Sequence, residues 1–343
     1  MRIQTLIFLA MVAMAGNVAA DAASGASQCC PTMKAVRIHA FGGPDVLVHE
    51  DVPKPVAGAG ELLVRVKAAG VNPVDASIRS GSRPRLSPKR PLVPGFDVAG
   101  IVETVGEGVH GFAEGDAVYA MLDLARGGAY AEFAVVKASE AAFKPQALDF
   151  DEAAGVPLVA LTAYQALIDT AGLQAGQTLL IQGGSGGVGS YAIQLAKSAG
   201  ARVIAVASER NQAYMQRLGA DVAVDYGSQR FEDIARDVDV VLDTVGGETQ
   251  ARSFAVLKRG GWLVSIREAP SQALAEQFGV TATRILVRPS GRQLAEIGRM
   301  FDEGRLRPAA LETLPLDQAS RAHEQIETRH TRGKIVLIPR DGG

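Results

Sequence analysis

The residues best placed to do chemistry are glycines. Gly183-Gly184-Ser185-Gly186-Gly187-Val188-Gly189 follows the apolar run Leu179–Gln182 and opens a helical stretch. Glycines at this spacing permit a tight turn and bring bare backbone N–H groups up to a pyrophosphate, and the helix N-terminus adds partial positive charge. A glycine triplet alone is weak evidence. With a strand before it, a helix after it and further βα units behind it, the loop points to a dinucleotide site. Gly183, Gly186, Gly187, Val188 and Gly189 are then the residues expected on the phosphates. An NAD enzyme would place a carboxylate about 20 residues on, against the ribose 2′-OH. Here the second strand ends Ala205-Val206-Ala207-Ser208, followed by Arg210 and Asn211, which suit the 2′-phosphate of NADPH. Glu209 competes: if it took the ribose, Arg210 would merely be solvated.

These residues need a scaffold, and the rhythm of the chain supplies one. From about residue 160, strands alternate with helical stretches, the signature of a parallel sheet. Strand Thr178–Gln182 leads into a helix over Gly187–Ala199, Arg202–Ala207 into Asn211–Leu218, and Val222–Asp225 into Phe231–Ala235. Asp239–Thr244 leads into Thr249–Leu257, Trp262–Ile266 into Ala273–Phe278, and Ala282–Val287 closes the set. Six strands are the count of a dinucleotide-binding sheet. Earlier, Ala35–Ile38, Leu62–Ala68, Val98–Val105 and Ala117–Ala120 are short β-like runs between Gly and Pro, which argues an all-β or barrel-like unit. After Pro289 come two helices, Arg292–Glu303 and Gln318–Thr328, and a strand, Lys334–Ile338. A completed six-stranded sheet has no place for this tail, so it is expected to return to the first domain.

The 343 residues suggest two domains. With 35 basic and 37 acidic side chains the net charge is −2, which gives no field to gather nucleic acid. No stretch of the mature chain has the ~20 apolar residues of a membrane span. The first residues read as an export signal: Arg2, the apolar Leu6–Ala15, then Val18-Ala19-Ala20 as a cleavage site. The only cysteines, Cys29 and Cys30, are adjacent. Neighbouring Cα atoms lie ~3.8 Å apart, short of the ~4.4–6.8 Å of a disulfide, so both read as linker residues.

Several separated motifs carry a family resemblance: Gly70-Val71-Asn72-Pro73-Val74-Asp75, Pro94-Gly95-Phe96-Asp97-Val98-Ala99-Gly100, Gly115-Asp116-Ala117-Val118 and Leu161-Thr162-Ala163-Tyr164. The glycine loop, Asp243-Thr244-Val245-Gly246-Gly247 and Arg332-Gly333-Lys334-Ile335-Val336-Leu337 complete the set. From Met33 to Pro339 the chain resembles the medium-chain dehydrogenase/reductase superfamily, and within it the zinc-free quinone oxidoreductases. The resemblance implies an α/β fold, a Rossmann doubly wound parallel sheet inserted into a GroES-like, partly open β-barrel. In segments, that is a signal peptide at 1–20, a linker at 21–32, the GroES-like part at 33–157, the NADP-binding domain at 158–288 and the return at 289–343. It further implies a homodimer acting on a small quinone or enone.

The resemblance also assigns roles. Asn72 and Thr162 are expected at the nicotinamide, Tyr226 near the adenosine phosphate, and Ser208, Val245, Gly246, Ser265 and Lys334 along the cofactor. Their ordinary alternatives are a loop hydrogen-bonder for Asn72, a helix cap for Thr162 and a half-buried strand residue for Tyr226. Zinc-dependent relatives carry Cys and His where this chain has Asn72 and Phe96, and neither replacement is a zinc ligand. Asp75 and Asp97 are expected in structural hydrogen bonds. No tyrosine occurs between Asp75 and Pro84, where related enoyl reductases often carry one as a proton donor. That favours quinones or reactive enones, which can take the proton from solvent. An enoyl-thioester reductase, with Arg83 or Lys89 on a phosphate, and a redox-inactive NADPH-binding protein are the alternatives.

The leader and the nucleotide site disagree about compartment, since NADPH is held in the cytoplasm. Met33-Lys34-Ala35 reproduces a start common in the family, so the fold is expected to begin there. A shortened chain starting at Met33 is expected to fold and bind NADPH like the mature protein; an insoluble product would make the leader structural. N-terminal sequencing of the native protein decides export, a cleaved end at Asp21 supporting it.

Overall fold

Val, Ile and Leu at successive positions, rather than at alternate ones, mark strands covered on both faces. The chain in this computed structural model, which describes residues 31–83 and 90–340, follows that pattern through its second half. The leader segment, most of the linker with Cys29 and Cys30, and Lys89 lie outside the described residues.

The first half begins with β1 (Thr32–Ile38), β2 (Leu47–Pro53), β3 (Glu61–Val71), α1 (Pro73–Arg79) and β4 (Asp97–Val105). It continues through β5 (Ala117–Met121), β6 (Phe133–Lys137), β7 (Ala141–Phe143), α2 (Phe150–Ala154) and α3 (Pro157–Tyr164). The nucleotide half runs β8 (Thr178–Gln182), α4 (Gly187–Ser198), β9 (Arg202–Ala207), α5 (Gln212–Arg217), β10 (Val222–Asp225) and α6 (Phe231–Ile234). Then come β11 (Val238–Asp243), α7 (Gly247–Ser253), β12 (Leu257–Ser265), α8 (Gln272–Phe278) and β13 (Thr281–Arg284). The tail is α9 (Gly291–Asp302), β14 (Leu311–Pro315), α10 (Ala319–Glu327) and β15 (Lys334–Ile338). None of the helices among the described residues is long and apolar enough to cross a membrane.

The six strands of the second half pair in parallel in the order β10-β9-β8-β11-β12-β13. This is the doubly wound order, whose direction reverses between β8 and β11. Side chains alternate across it: Leu179, Ile181, Val203 and Ala205 join the core under α3 and α4, whereas Leu180, Ile204, Val206 and Val241 face the opposite core. A crevice therefore opens beyond the carboxyl ends of β8 and β11, beside the glycine loop.

A seven-stranded sheet in the order β14-β15-β3-β4-β5-β7, with β6 on β3, makes the other layer. β15 runs antiparallel to β3, placing Ile335 opposite Val71, and β14 pairs with β15 in parallel. Chain from both sides of the nucleotide sheet thus shares one sheet. β1 and β2 form a separate ribbon, and Thr32, read as linker, already pairs with Pro53 in it.

Several elements differ from the sequence pattern. β2, β6, β7 and β14 were not expected, being short or, like β2, largely solvent-facing. The helix anticipated over Thr249–Leu257 ends at Ser253; a 3₁₀ turn follows, and Leu257 already belongs to β12. Gly260, at φ 79°, lets that strand continue through Lys258-Arg259-Gly260-Gly261. The helix expected from Asn211 begins instead as a 3₁₀ turn over Glu209–Asn211.

Gly333 fastens the tail to the nucleotide layer. Its N–H donates to Ser185 O at 2.9 Å, its φ is 64°, and an added Cβ would collide with the Ala310 carbonyl. Strain of this kind costs ~1–3 kcal/mol before the collision is counted. Gly333→Ala is expected to lower the melting temperature by ~4 °C or more, at ~2–4 °C per kcal/mol for large domains; an unchanged melting curve would show that the tail can move aside.

Candidate functional site

The phosphate loop needs its glycines for space as well as for φ. Gly183 has φ 81° and no room for a Cβ beside Thr244 Oγ1, and a Cβ on Gly189 would strike the Gly183 carbonyl. At Gly187 it would meet Val159 Cγ1 at 2.9 Å and Lys334 Cδ at 3.1 Å. Gly186 is the N-cap of α4, and no side chain caps that helix. The first N–H groups, on Gly187, Val188 and Gly189, therefore have no partner within the helix and suit an anion. All five of the expected glycine-loop residues line one cleft of about 950 Å³.

At one end of the cleft stand Ser208, Arg210, Asn211 and Tyr226, the last 60% exposed beyond β10. Arg210 Nη2 donates to His330 O at 3.0 Å. Asn211 lines the cleft and also holds the loop together. It is buried, and its Oδ1 accepts from Arg332 Nε at 2.7 Å while its Nδ2 donates to Ser208 Oγ at 3.1 Å. Its polar atoms brace the loop, which leaves Arg210, bonded to a carbonyl but to no carboxylate among the described residues, as the cation beside it. Glu209 is exposed and does not line the cleft. Arg329 and His330 do line it, and sequence reasoning missed both. The basic run Arg329-His330-Thr331-Arg332 was the available signal.

Two assignments are corrected. Ser265 and Gly246 do not line the cleft. Ser265 is fully buried, its Oγ donating to Asp243 Oδ2 at 2.8 Å. Gly246 turns the chain at φ 84° with its N–H on Asp243 Oδ1 at 2.8 Å. Both shape the loop after β11, whereas Val245 does reach the cleft.

The opposite end is built on a buried polar cluster. Lys334, 3% exposed, donates from Nζ to Asn72 Oδ1 at 2.6 Å, to Val71 O at 2.9 Å and towards Asp97 Oδ2 at 3.4 Å. These use all three ammonium hydrogens. Asp97 Oδ2 also accepts from Asn72 Nδ2 at 2.8 Å, and its Oδ1 accepts from Leu158 N at 2.8 Å. Asn72 is the N-cap of α1, and its own N–H donates to Asp75 Oδ2 at 2.7 Å. Thr162 lies inside α3 rather than at its cap, its Oγ1 bonded back to Leu158 O at 2.6 Å. Asn72, Thr162 and Lys334 all line the cleft.

Burial disfavours every charge in this cluster. It pushes the Asp97 carboxyl up and the Lys334 ammonium down, and the attraction between the two works against both shifts. Burial likewise raises the Asp75 carboxyl to about 7, against hydrogen bonds from Asn72 N–H and Tyr130. Tyr130 Oη donates to Asp75 Oδ2 at 2.9 Å and lies 3.3 Å from His323 Nε2. Burial, helped by the positive charge of Arg79, holds His323 down at about 3.

Comparison with known proteins agrees with this architecture. Residues 58–146 match the alcohol dehydrogenase GroES-like domain family, and residues 218–337 match the zinc-binding dehydrogenase family. The chain is 34% identical to the chloroplastic NADPH-dependent alkenal/one oxidoreductase of Arabidopsis thaliana, over 94% of this chain and 82% of that one. It is 32% identical to the quinone oxidoreductase of Sus scrofa, over 89% of this chain and 98% of the other. The chain belongs to the medium-chain dehydrogenase/reductase superfamily, in its quinone oxidoreductase branch. Among solved structures, the Escherichia coli quinone oxidoreductase complexed with NADPH superposes with a TM-score of 0.82 at 30% identity, covering 89% of this chain and 100% of that one.

This member of the superfamily puts an ammonium, that of Lys334, against Asp97, and it buries Phe96 to 2% exposure. Asp75 sits just beneath, and its raised carboxyl has a consequence for stability. A carboxyl whose folded pKa lies above its unfolded value stabilises the fold below the unfolded pKa, and that contribution is lost as pH rises through the folded one. The window runs from about 4 to about 7. Asp75→Asn removes the titration, so the variant is expected to gain on the parent protein across that window and to run parallel above it. Urea midpoints at intervals of pH measure this. A constant difference would mean that Asp75 stays ionised in the fold.

Proposed function

We propose that this protein is an NADPH-dependent reductase that delivers hydride to a quinone or an α,β-unsaturated carbonyl without zinc. One observation carries the proposal: a glycine-built phosphate cradle opens into a cleft lined by Arg210, which has no carboxylate partner among the described residues, and by the Asn72–Lys334 cluster. Gly183, Gly186, Gly187, Val188 and Gly189 would hold the pyrophosphate. Ser208, Arg210 and Tyr226, with Arg329 and His330, would hold the adenosine end and its 2′-phosphate. Asn72, Thr162 and Lys334 would fix the nicotinamide end. The names of the two curated relatives, an alkenal/one oxidoreductase and a quinone oxidoreductase, support the same acceptors.

The donor set speaks against a catalytic zinc. Both Asp97 oxygens already accept from Leu158, Asn72 and Lys334, and Asn72 and Phe96 supply no thiolate or imidazole. Without a Lewis acid, an alcohol is hard to activate, whereas an acceptor that is already electrophilic needs little help. The bound cofactor would supply the hydride, and the chain would orient the acceptor against it. Asn72, at the cleft wall, spends one amide hydrogen on Asp97 and would act by fixing the nicotinamide end. Solvent at the open mouth supplies the proton.

NADPH oxidation with a naphthoquinone and an acrolein-type enone, before and after dialysis against EDTA, tests the proposal. Turnover should survive chelation; stoichiometric zinc lost together with activity would overturn the zinc-free mechanism. NADPH should be preferred to NADH by at least ~10-fold in kcat/KM, since ~1.4 kcal/mol is one decade and a charge-assisted contact contributes ~1.5–3 kcal/mol. Arg210→Ala should erode that preference. Equal use of the two cofactors by the parent protein would assign the ribose to another residue, and tight NADPH binding with no turnover would favour a redox-inactive role.

A further inference from the structure

The hydrogen bonds around Lys334 and Asp97 fix the charge on each. Lys334 Nζ has three acceptors, Asn72 Oδ1, Val71 O and Asp97 Oδ2, and only an ammonium has three hydrogens to give them. Asp97 receives Leu158 N on Oδ1, and both Asn72 Nδ2 and Lys334 Nζ on Oδ2. Donors on both oxygens suit a carboxylate, which only accepts. The two side chains are 3% and 0% exposed. Either charge, left without the other, would therefore act across its surroundings with little screening by water.

Asn72 touches both charges and lines the cleft, as does Lys334 itself. Asp97 does not line the cleft. It can act there only through Asn72, through the start of α3 at Leu158, and through its charge. A nicotinamide ring is neutral when reduced and positive once its hydride has left. An ammonium without a counter-charge would oppose that change, and a carboxylate alone would favour it. Asp75, bonded to the Asn72 N–H, is a further carboxyl at this junction.

We propose that Asp97 is a positioning residue whose charge cancels that of Lys334 beside the nicotinamide, so that the ring can become positive without being opposed or trapped. Its bonds to Asn72 and Leu158 are the geometric half of this role, and the ion pair is the electrostatic half. Stability alone does not call for such a pair, since well-packed hydrophobic residues often replace one without loss. The inference rests on the NADPH reading above and deepens it: two buried residues set how the site weighs oxidised against reduced cofactor.

NADP+ and NADPH differ only at the nicotinamide, so the ratio of their dissociation constants separates the ring's surroundings from the phosphate contacts. Isothermal titration of the protein with each cofactor gives this ratio. Asp97→Asn leaves the ammonium unmatched and should raise Kd(NADP+)/Kd(NADPH) by ~10-fold, equivalent to ~1.4 kcal/mol. Lys334→Met leaves the carboxylate unmatched and should move the ratio by a similar factor in the opposite direction. Working at about pH 6.5 for the first variant and about pH 8.5 for the second, each against the parent at the same pH, keeps the surviving group charged. Asp97→Asn/Lys334→Met should bring the ratio back near the parent value. Asp75 is common to all of these proteins and cancels from the comparison. Circular dichroism checks the fold of each variant; should Asp97→Asn not fold, Lys334→Met, with its opposite sign, and the double variant decide. Equal weakening of both cofactors in the single variants, or shifts of the same sign, would show a purely structural pair and overturn the proposal. A parent protein that binds neither cofactor would sink the NADPH reading itself.

Discussion

Lys334 and Asp97 face each other at 3.4 Å, almost sealed from solvent, and each is held by segments far apart in the chain. Lys334 opens β15 in the C-terminal tail, and Asp97 opens β4. The ammonium also reaches the end of β3 through Val71 O, and the carboxylate reaches the N-terminus of α3 through Leu158 N. Four elements are thereby pinned at one point, and Asn72 bridges the two charges. A buried pair is weak evidence of stability, because hydrophobic residues in its place are often as stable, yet removing one partner alone costs ~3–5 kcal/mol. What it supplies here is position: the side chains of Asn72 and Thr162 meet the cleft only because α1 and α3 start from this junction.

The same lysine is tied to the phosphate loop. Its neighbour Gly333 donates to Ser185 O, and its own side chain passes within reach of Gly187. The glycines therefore have two functions: they expose N–H groups to an anion and leave room for the tail to thread behind the loop. A side chain at Gly187 would press on Val159 of α3 and on Lys334 at once. Phosphate cradle and buried pair are in this sense one packing problem with one solution.

Local pattern made the nucleotide half legible. β8, the glycine loop and α4 appear where the apolar run, the glycines and the helical stretch put them, because each signal lies within a few residues of its effect. The tail was harder. β14 has only five residues and ends in Pro315, and its pairing partner lies beyond the whole of α10. The site was legible to the same degree. Gly183, Gly186, Gly187, Val188, Gly189, Arg210, Tyr226, Asn72, Thr162 and Lys334 line the cleft. Ser265 misled, and Asn211 has a second task, because nearness in sequence does not set side-chain direction. Ser265 ends β12 pointing inward to Asp243, and Asn211 is claimed by Arg332, 121 residues away. Arg329 and His330 escaped notice for the converse reason: only the fold brings them beside Arg210.

Net charge was the least informative number. At −2 the chain has no overall field for anions, yet its cations are unevenly placed. Arg210 and Arg329 line one part of the cleft and Arg83 and Arg267 another, while between them lies a lysine matched by Asp97. At physiological salt a Debye length is only ~8 Å, so carboxylates on the far surface do little to cancel these local fields. A ligand inside the cleft meets positive, balanced and positive regions in turn. A dinucleotide phosphate suits the region beside the glycine loop, and an uncharged reacting centre suits the balanced one.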